Sequence, residues 1–129
     1  MLAILWRRPR IFVLVLAADV ASDGLASLGK YVTDRHRPFE HRLGPPVSSS
    51  SFPSGHSATS FACATVLAAF APRLRVPLFA LAALIAISRL YNGVHYPTDV
   101  LAGAALGAVT ALLLLAGARL RSRRAPRSG

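Results

Sequence analysis

The sequence predicts an all-α integral membrane protein, a helical bundle of about four transmembrane helices. Hydrophobic residues make up 53% of the 129 residues and charged residues only 16%. Almost every charge lies outside four apolar segments, and this distribution decides the fold class. The segments would span about 22 to 36 Å as helices, against a hydrocarbon core of ~30 Å. They are Ile11–Leu28, Ser57–Ala71, Val76–Tyr91 and Pro97–Leu120.

The lengths of these segments differ in a way that matters for crossing a membrane. The first and the last are long enough to cross, whereas the middle two need their flanking residues. A chain of 129 residues is expected to form a single domain over residues 1–129.

The basic residues follow the pattern of a membrane topology. Ten of the 15 share one side of the membrane if the segments cross in alternation. The positive-inside rule makes that side cytoplasmic, and the basic tail, residues 119–129, is predicted to lie there against anionic lipid. We therefore attribute the net charge of +10 to topology and expect no nucleic-acid partner. The ten are Arg7, Arg8, Arg10, Arg73, Arg75, Arg119, Arg121, Arg123, Arg124 and Arg127.

The first segment carries two acidic residues, Asp19 and Asp23, on one helical face. Acidic groups at membrane depth normally face the bundle interior or water. Lys30 follows Asp23 by seven residues, nearly on the same face, so we predict a local Asp23–Lys30 ion pair and a structural role. The start of the chain also resembles a signal peptide, but three more apolar segments follow it.

Turn signals separate the segments. Residues 31–52 are polar, proline-containing and serine-rich, which indicates a loop, and Pro38 disfavours helix at the residue before it. The first helix is therefore expected to end between Lys30 and His36, and the second to begin after "FPSGH". Asn92-Gly93 is a stop signal for the third helix, and Pro97 suits the first turn of the fourth.

Small residues indicate how the helices pack. Gly103 and Gly107 form a Gly-x-x-x-Gly pair that allows close helix approach. Packing inside the bundle is favoured over dimerisation, and the oligomeric state is left open. Cys63 is the single cysteine, so the chain has no internal disulfide. We interpret it as a small buried residue.

Under this topology, polar groups from four helix ends converge at the outward membrane surface. They comprise three fixed cations, two histidines, a serine–glycine pair and one carboxylate. Arginine binds phosphate oxygens through a bidentate fork, lysine adds a point charge, and a helix N-terminus offers free N–H groups. The inventory therefore suits a phosphoryl group. Its members are Lys30, Arg37, Ser54, Gly55, His56, Arg89, His95 and Asp99.

The two histidines differ in their surroundings. Asp99 follows His95 by four residues, so its carboxylate could fix the tautomer of His95 and leave the other nitrogen free to attack. His95 is therefore the predicted nucleophile. His56 has no carboxylate at such a spacing and is the predicted general acid for the leaving group.

Simpler interpretations exist for each residue. A single histidine near a helix end is usually a surface residue, and a single arginine can reach the membrane interface for solvation. His36 and His41, in the polar loop, are interpreted in this way. A zinc site from His56, His95 and Asp99 is disfavoured by the nearby cations, so neither a metal nor a cofactor is predicted.

Taken together, these motifs resemble the type 2 phosphatidic acid phosphatase superfamily. The match comprises Lys30-x6-Arg37-Pro38, then Pro53-Ser54-Gly55-His56, then Ser88-Arg89-x5-His95-x3-Asp99. The resemblance covers residues 30–99. It implies a metal-independent phosphatase of lipid phosphates in which His95 is phosphorylated, His56 protonates the leaving group and Asp99 supports the nucleophile. It also implies that Lys30, Arg37, Ser54, Gly55 and Arg89 hold phosphate.

The resemblance implies an enzyme of the membrane, with lipid as substrate. Phosphatidic acid, phosphatidylglycerol phosphate and undecaprenyl diphosphate are the expected substrate types, and the bacterial plasma membrane, with an outward-facing site, is the expected location. Membrane members of this family commonly have six helices, so the chain is expected to lack two leading ones. A vanadate-dependent haloperoxidase and a non-catalytic membrane module are the alternatives.

Overall fold

The computed structural model describes residues 8–38 and 49–124. Arg7, His41 and residues 125–129, on which some of the predictions fall, lie outside these ranges. The described chain forms four α-helices, which confirms the predicted all-α bundle. They are α1 (Pro9–Thr33), α2 (Gly55–Phe70), α3 (Arg75–Tyr91) and α4 (Pro97–Arg124), with a 3-10 turn over Pro72–Leu74 before α3.

Three of the four helical segments are long and apolar enough to cross a membrane: Pro9–Thr33, Pro72–Tyr91 and Pro97–Arg124. Helix α2 has 16 residues, which corresponds to about 24 Å. It is therefore the exception to the predicted four spans. It lies at the centre of the bundle, in contact with α1, α3 and α4, so partner helices cover much of its surface.

Local sequence explains the helix boundaries. Helix α1 ends between Lys30 and His36 as predicted, because Asp34 adopts a left-handed backbone with φ 41°. Helix α2 begins at Gly55, two residues earlier than predicted, because Ser54 caps it: the Ser54 hydroxyl accepts a hydrogen bond from Ser57 N. Helix α4 begins at Pro97 as predicted. It continues past Leu120 to Arg124, so the first part of the basic tail is helical.

The Gly-x-x-x-Gly pair packs α4 against the first turns of α2. A methyl group added at Gly103 would collide with the Ser54 carbonyl oxygen, and one added at Gly107 would collide with the carbonyl oxygen of Ala58. Both glycines are buried. The predicted packing inside the bundle is therefore confirmed, and it brings the start of α4 next to the start of α2. Ser54 N donates a 2.9 Å hydrogen bond to the Asp99 carbonyl at this junction.

The core further along the bundle consists of small and medium apolar side chains. Ala18, Ala62, Val66, Ala111 and Leu115 form one buried cluster contributed by α1, α2 and α4. Helix α3 buries only Ala82 and Ala86. Its larger apolar side chains, such as Leu84 with 64% exposure, point outward, as expected for a surface in contact with lipid.

Candidate active site

The structure brings the eight predicted site residues to the same end of the bundle. This end contains the C-termini of α1 and α3 and the N-termini of α2 and α4, so successive helices run antiparallel. Lys30 and Arg89 lie in the last turns of their helices, and Asp99 lies in the first turn of α4. The chemical roles of these residues remain predictions, but their convergence no longer depends on an assumed topology.

His95 lies in the turn between α3 and α4 and is buried, with 6% exposure. Its Nδ1 lies 2.7 Å from the carbonyl oxygen of Ser51. A carbonyl can only accept a hydrogen bond, so Nδ1 carries the proton and Nε2 carries a lone pair. Nε2 accepts a 3.4 Å contact from Arg37 Nη1, which is consistent with this tautomer. The predicted nucleophile is therefore oriented with a basic nitrogen available.

The expectation that Asp99 fixes this tautomer is wrong in its geometry. Asp99 Oδ2 lies 3.7 Å from His95 Nδ1, too far for a hydrogen bond. That oxygen accepts a 2.7 Å bond from Tyr96 N, and Oδ1 accepts a 2.8 Å bond from Arg35 Nη1. Asp99 thus caps the start of α4, while its negative charge still lies close to the imidazole.

The surroundings of His95 favour the neutral ring. Burial lowers its pKa from 6.5 to about 4, because the charged imidazolium loses hydration. The positive charges of Arg37 and Lys30 act in the same direction. The hydrogen bond to the Ser51 carbonyl and the charge of Asp99 act in the opposite direction and offset only part of the shift. A neutral imidazole is the form that can attack phosphorus.

Arg37 is buried, and backbone carbonyls already bind much of its guanidinium. Its Nε donates to Ser49 O at 2.9 Å, and Nη1 donates to Val94 O at 2.9 Å. Nη2 donates to Ser49 Oγ at 3.0 Å and to Ser50 O at 3.3 Å. Through these bonds, Arg37 connects residues 49–50 to the turn that carries His95. This anchoring function was not predicted, and any phosphate contact by Arg37 would come in addition to it.

Arg35 belongs to the same network and was missed by the sequence analysis. Its Nη1 donates to both Thr98 Oγ1 and Asp99 Oδ1 at 2.8 Å, and its guanidinium lies 4.5 Å from the centre of the Tyr96 ring. One signal could have revealed it: Arg35 is one of the few basic residues on the side of the membrane where the positive-inside rule disfavours them.

Gly55 lies where two charged side chains of α1 approach the start of α2. A methyl group added at Gly55 would lie 3.6 Å from Lys30 Nζ and 3.4 Å from Asp23 Oδ1. The glycine therefore leaves open space in front of the ammonium group. The predicted Asp23–Lys30 ion pair is not formed: in the described chain, the ion pair within 4.0 Å that joins two charged side chains is Arg35–Asp99. Both α1 side chains reach the space beside Gly55 without approaching each other within 4.0 Å.

Ser54 is fully buried beneath Gly55 and serves as the N-cap of α2. Its hydroxyl oxygen also accepts a 3.2 Å bond from Ser57 Oγ. Both of these hydrogen bonds use lone pairs of the Ser54 hydroxyl oxygen. Ser54 could therefore contact a phosphate only by donating its own hydroxyl proton.

His56 and Arg89 form the more open part of the site. His56 lies in the first turn of α2 and is exposed. Arg89 and Lys30 lie close enough to His56 to interact with it electrostatically. Arg89 Nε donates to Ser88 Oγ at 3.3 Å. For the terminal Arg89 nitrogens and for Lys30 Nζ, residues 8–38 and 49–124 provide no hydrogen-bond acceptor.

A polar cavity of about 720 Å³ opens beside Lys30. It lies between the end of α1 and the 49–50 segment. Within the described ranges, no group of three His, Cys, Asp or Glu side chains is arranged to hold a metal ion. The residues lining the cavity are Ser27, Lys30, Tyr31, Asp34, Ser49 and Ser50.

The sequence motifs predicted this arrangement, in which two histidines and several cations meet at one end of a membrane helix bundle. A family model of the PAP2 superfamily, the type 2 phosphatidic acid phosphatases that the motifs resemble, matches residues 9–123. The chain belongs to the PAP2 superfamily. The match extends well beyond the motifs at 30–99 and includes all four helices.

Named relatives support this membership. The chain is 37% identical over 123 residues to a decaprenylphosphoryl-5-phosphoribose phosphatase of Mycobacterium tuberculosis, covering 92% of this chain and 68% of that protein. It is 39% identical over 88 residues to a lipid A 1-phosphatase of Porphyromonas gingivalis, covering 65% of this chain but only 18% of that protein. The chain thus spans most of the first relative and a small part of the second.

A solved structure shows the same fold. The crystal structure of LpxE from Aquifex aeolicus superimposes with a TM-score of 0.80 at 31% sequence identity. The superposition covers 89% of this chain and 73% of that one. The crystal structure of a transmembrane PAP2 type phosphatidylglycerolphosphate phosphatase from Bacillus subtilis also matches, with a TM-score of 0.73 at 30% identity over 91% of this chain and 61% of that one. The four-helix arrangement is therefore that of a PAP2 membrane protein.

Proposed function

We propose that this PAP2 protein is a metal-independent phosphatase that hydrolyses lipid phosphates or prenyl diphosphates through a phosphohistidine intermediate. The observation that carries the proposal is the state of His95. Its Nδ1–H is bound to the Ser51 carbonyl at 2.7 Å, so a neutral Nε2 is available beside Arg37. The named relatives are themselves phosphatases of lipid-linked phosphates.

The chemistry requires two steps. In the first, the Nε2 lone pair of His95 attacks phosphorus, the bond from phosphorus to the leaving oxygen breaks, and protonated His56 gives its proton to that oxygen. In the second, neutral His56 takes a proton from water, whose oxygen attacks the phosphohistidine. The nitrogen–phosphorus bond breaks, and inorganic phosphate leaves. The negative charge of the bound phosphate stabilises protonated His56 for the first step.

The cations would stabilise charge on the phosphoryl oxygens. Lys30 and Arg89 are best suited to this role, because neither the ammonium nor the terminal guanidinium nitrogens donate to acceptors among the described residues. Gly55 leaves space in front of Lys30, and the first N–H groups of α2 lie beside it.

The proposed location is the bacterial plasma membrane, with the site facing outward. Arg73, Arg75 and Arg119 lie at the end of the bundle opposite to the site, and the positive-inside rule assigns that end to the cytoplasm.

The substrate types to test are phosphatidic acid, phosphatidylglycerol phosphate and undecaprenyl diphosphate. The polar cavity beside Lys30 could accept a hydroxylated group next to the phosphate, so a lipid-linked sugar phosphate belongs in the same panel. Phosphate release from this panel by the purified chain in detergent identifies the preferred class.

Trapping the phosphoenzyme tests the mechanism. Brief incubation with a ³²P-labelled substrate followed by an alkaline quench should give an acid-labile, base-stable label on His95. His95→Ala should remove both the label and turnover. His36→Ala is the matched control, because His36 lies in the exposed part of the loop. Normal hydrolysis by His95→Ala, or a requirement for added magnesium after EDTA treatment, would contradict the proposal.

A further inference from the structure

A second cavity lies at the end of the bundle opposite to the active site. It has a volume of about 300 Å³ and is bounded by α2, α3 and α4. Asp99 and Arg119 are separated by 20 positions of α4, or about 30 Å, so this cavity is separate from the phosphatase site. Its lining includes Arg75, Phe79, Leu112, Leu115, Ala116 and Arg119.

The polarity of this cavity changes with depth. Arg75 begins α3 and Arg119 lies near the end of α4, so both arginines are at the rim. Phe79 lies one helical turn deeper than Arg75, and Leu112 lies two turns, or about 10 Å, deeper than Arg119. The lining is therefore cationic at the membrane surface and apolar toward the membrane interior, in the same order as the headgroup and chain of a phospholipid.

The charge at the rim is unbalanced. Both arginines are exposed, and in the described chain no ion pair or hydrogen bond is made by either guanidinium group. The acidic residues of the whole sequence are Asp19, Asp23, Asp34, Glu40 and Asp99. Those that the structure describes lie within the bundle or at the site end. Among the described residues, no acidic side chain lies at the rim to complement Arg75 and Arg119, which favours an anion from outside the protein.

We propose that this cavity binds an anionic phospholipid from the leaflet remote from the active site. Its phosphate would lie between Arg75 and Arg119, and the upper part of one acyl chain would pack against Phe79, Leu112 and Leu115. Basic recesses between membrane helices are suited to such headgroups, and paired arginines bind phosphate oxygens strongly. A parallel second copy fits less well, because it would present the same arginines and no carboxylate.

Thermal unfolding of the full chain in a neutral detergent tests the site. Phosphatidylglycerol should raise the Tm, whereas phosphatidylcholine with the same acyl chains should not. Arg75→Gln and Arg119→Gln should each weaken the phosphatidylglycerol affinity about tenfold, the equivalent of one charge-assisted hydrogen bond. Arg73→Gln and Arg121→Gln are matched controls at the same membrane surface whose side chains do not line the cavity, and they should keep the full response.

A second variant separates a lipid site from simple charge attraction. Ala116→Phe fills the apolar part of the cavity and leaves both arginines in place, so it should also weaken phosphatidylglycerol binding. Inorganic phosphate can occupy the active site, so any rise in Tm that it causes should be the same in Arg75→Gln and Arg119→Gln as in the unaltered chain. The proposal fails if the four arginine variants lose affinity equally, if Ala116→Phe binds normally, if Arg75→Gln abolishes a Tm rise caused by inorganic phosphate, or if cross-linking shows that a second copy covers the cavity.

Discussion

The two sides of the active site differ in how firmly their residues are held. On the loop side, formed by residues 34–38, 49–54 and 94–99, hydrogen bonds connect Arg35, Arg37, Ser51, His95 and Asp99 into one network. On the helix side, Lys30, His56 and Arg89 extend from helix ends, and their charged or ring tips form few contacts with the described chain. The network holds the nucleophile, whereas the helix side leaves its donors available for a ligand.

This difference separates two roles that the sequence motif combines. Arg37 and Arg89 both belong to the family pattern. Arg37 donates to backbone carbonyls, whereas the terminal nitrogens of Arg89 have no acceptor among the described residues. Changes on the loop side should therefore reduce stability and activity together. Changes on the helix side should reduce activity alone.

The largest effect is expected from the helix side. Lys30→Ala and Arg89→Ala should each lower kcat/KM by about 10²- to 10³-fold, as for the loss of one preorganised donor to a developing negative charge. The Tm should change little, because neither tip donates to an acceptor among the described residues. Lipid phosphate hydrolysis and thermal unfolding in detergent measure both quantities, and Arg73→Ala, at the opposite end, is the control. A Tm loss as large as that of a loop-side variant would remove the distinction between the two sides.

A smaller effect is expected where α4 supports the loop side. Gly103→Ala adds a methyl group against the Ser54 carbonyl and should destabilise the fold by about 1–3 kcal/mol, with a parallel loss of activity. Gly117→Ala is the matched control, because the added group would meet no other side chain and no other helix within 4 Å. It should be neutral or stabilising by up to about 1 kcal/mol. Equal Tm values for the two variants would contradict the close α2–α4 packing.

Arg35 tests the network itself. Arg35→Ala removes the bonds to Thr98 and Asp99 and should cost about 1 kcal/mol, because the Arg35 side chain is 41% exposed. Arg35→Lys should recover part of this loss. Combining Arg35→Ala with Asp99→Asn should cost less than the sum of the single changes. Strict additivity in thermal unfolding would mean that the two residues act independently.

The smallest effect concerns the pH dependence of His95. Its lowered pKa, about 4, keeps the ring neutral between pH 7 and pH 5, so its proton occupancy should change little over that range. His95 binds a proton near pH 6.5 in the unfolded chain but only near pH 4 in the folded chain. Protonation therefore favours the unfolded chain, and the stability of the fold decreases as the pH falls from 6.5 toward 4. NMR of ¹⁵N-labelled histidine measures both the pKa and the tautomer. A midpoint near 6.5, or a proton on Nε2, would contradict the structure.

The sequence predicted much of the fold because its signals are local. The segregation of apolar and charged residues indicated the helices, Pro97 marked the start of α4, and Gly103 with Gly107 indicated close packing. The boundary of α2 was missed by two residues because the capping role of Ser54 was not considered. The Asp23–Lys30 pair was predicted from helical spacing alone, which cannot show that both side chains reach the space beside Gly55 without forming that pair.

The sequence by itself determined which residue types are present at the site, since their spacing along the chain places them at helix ends that an alternating topology brings together. Only the tertiary structure decided how His95 is held. The group that binds its Nδ1–H is the backbone carbonyl of Ser51, and the groups that hold Arg37 include the carbonyls of Ser49, Ser50 and Val94. Every residue has a carbonyl, so no side-chain pattern could indicate which ones the fold brings within hydrogen-bond distance.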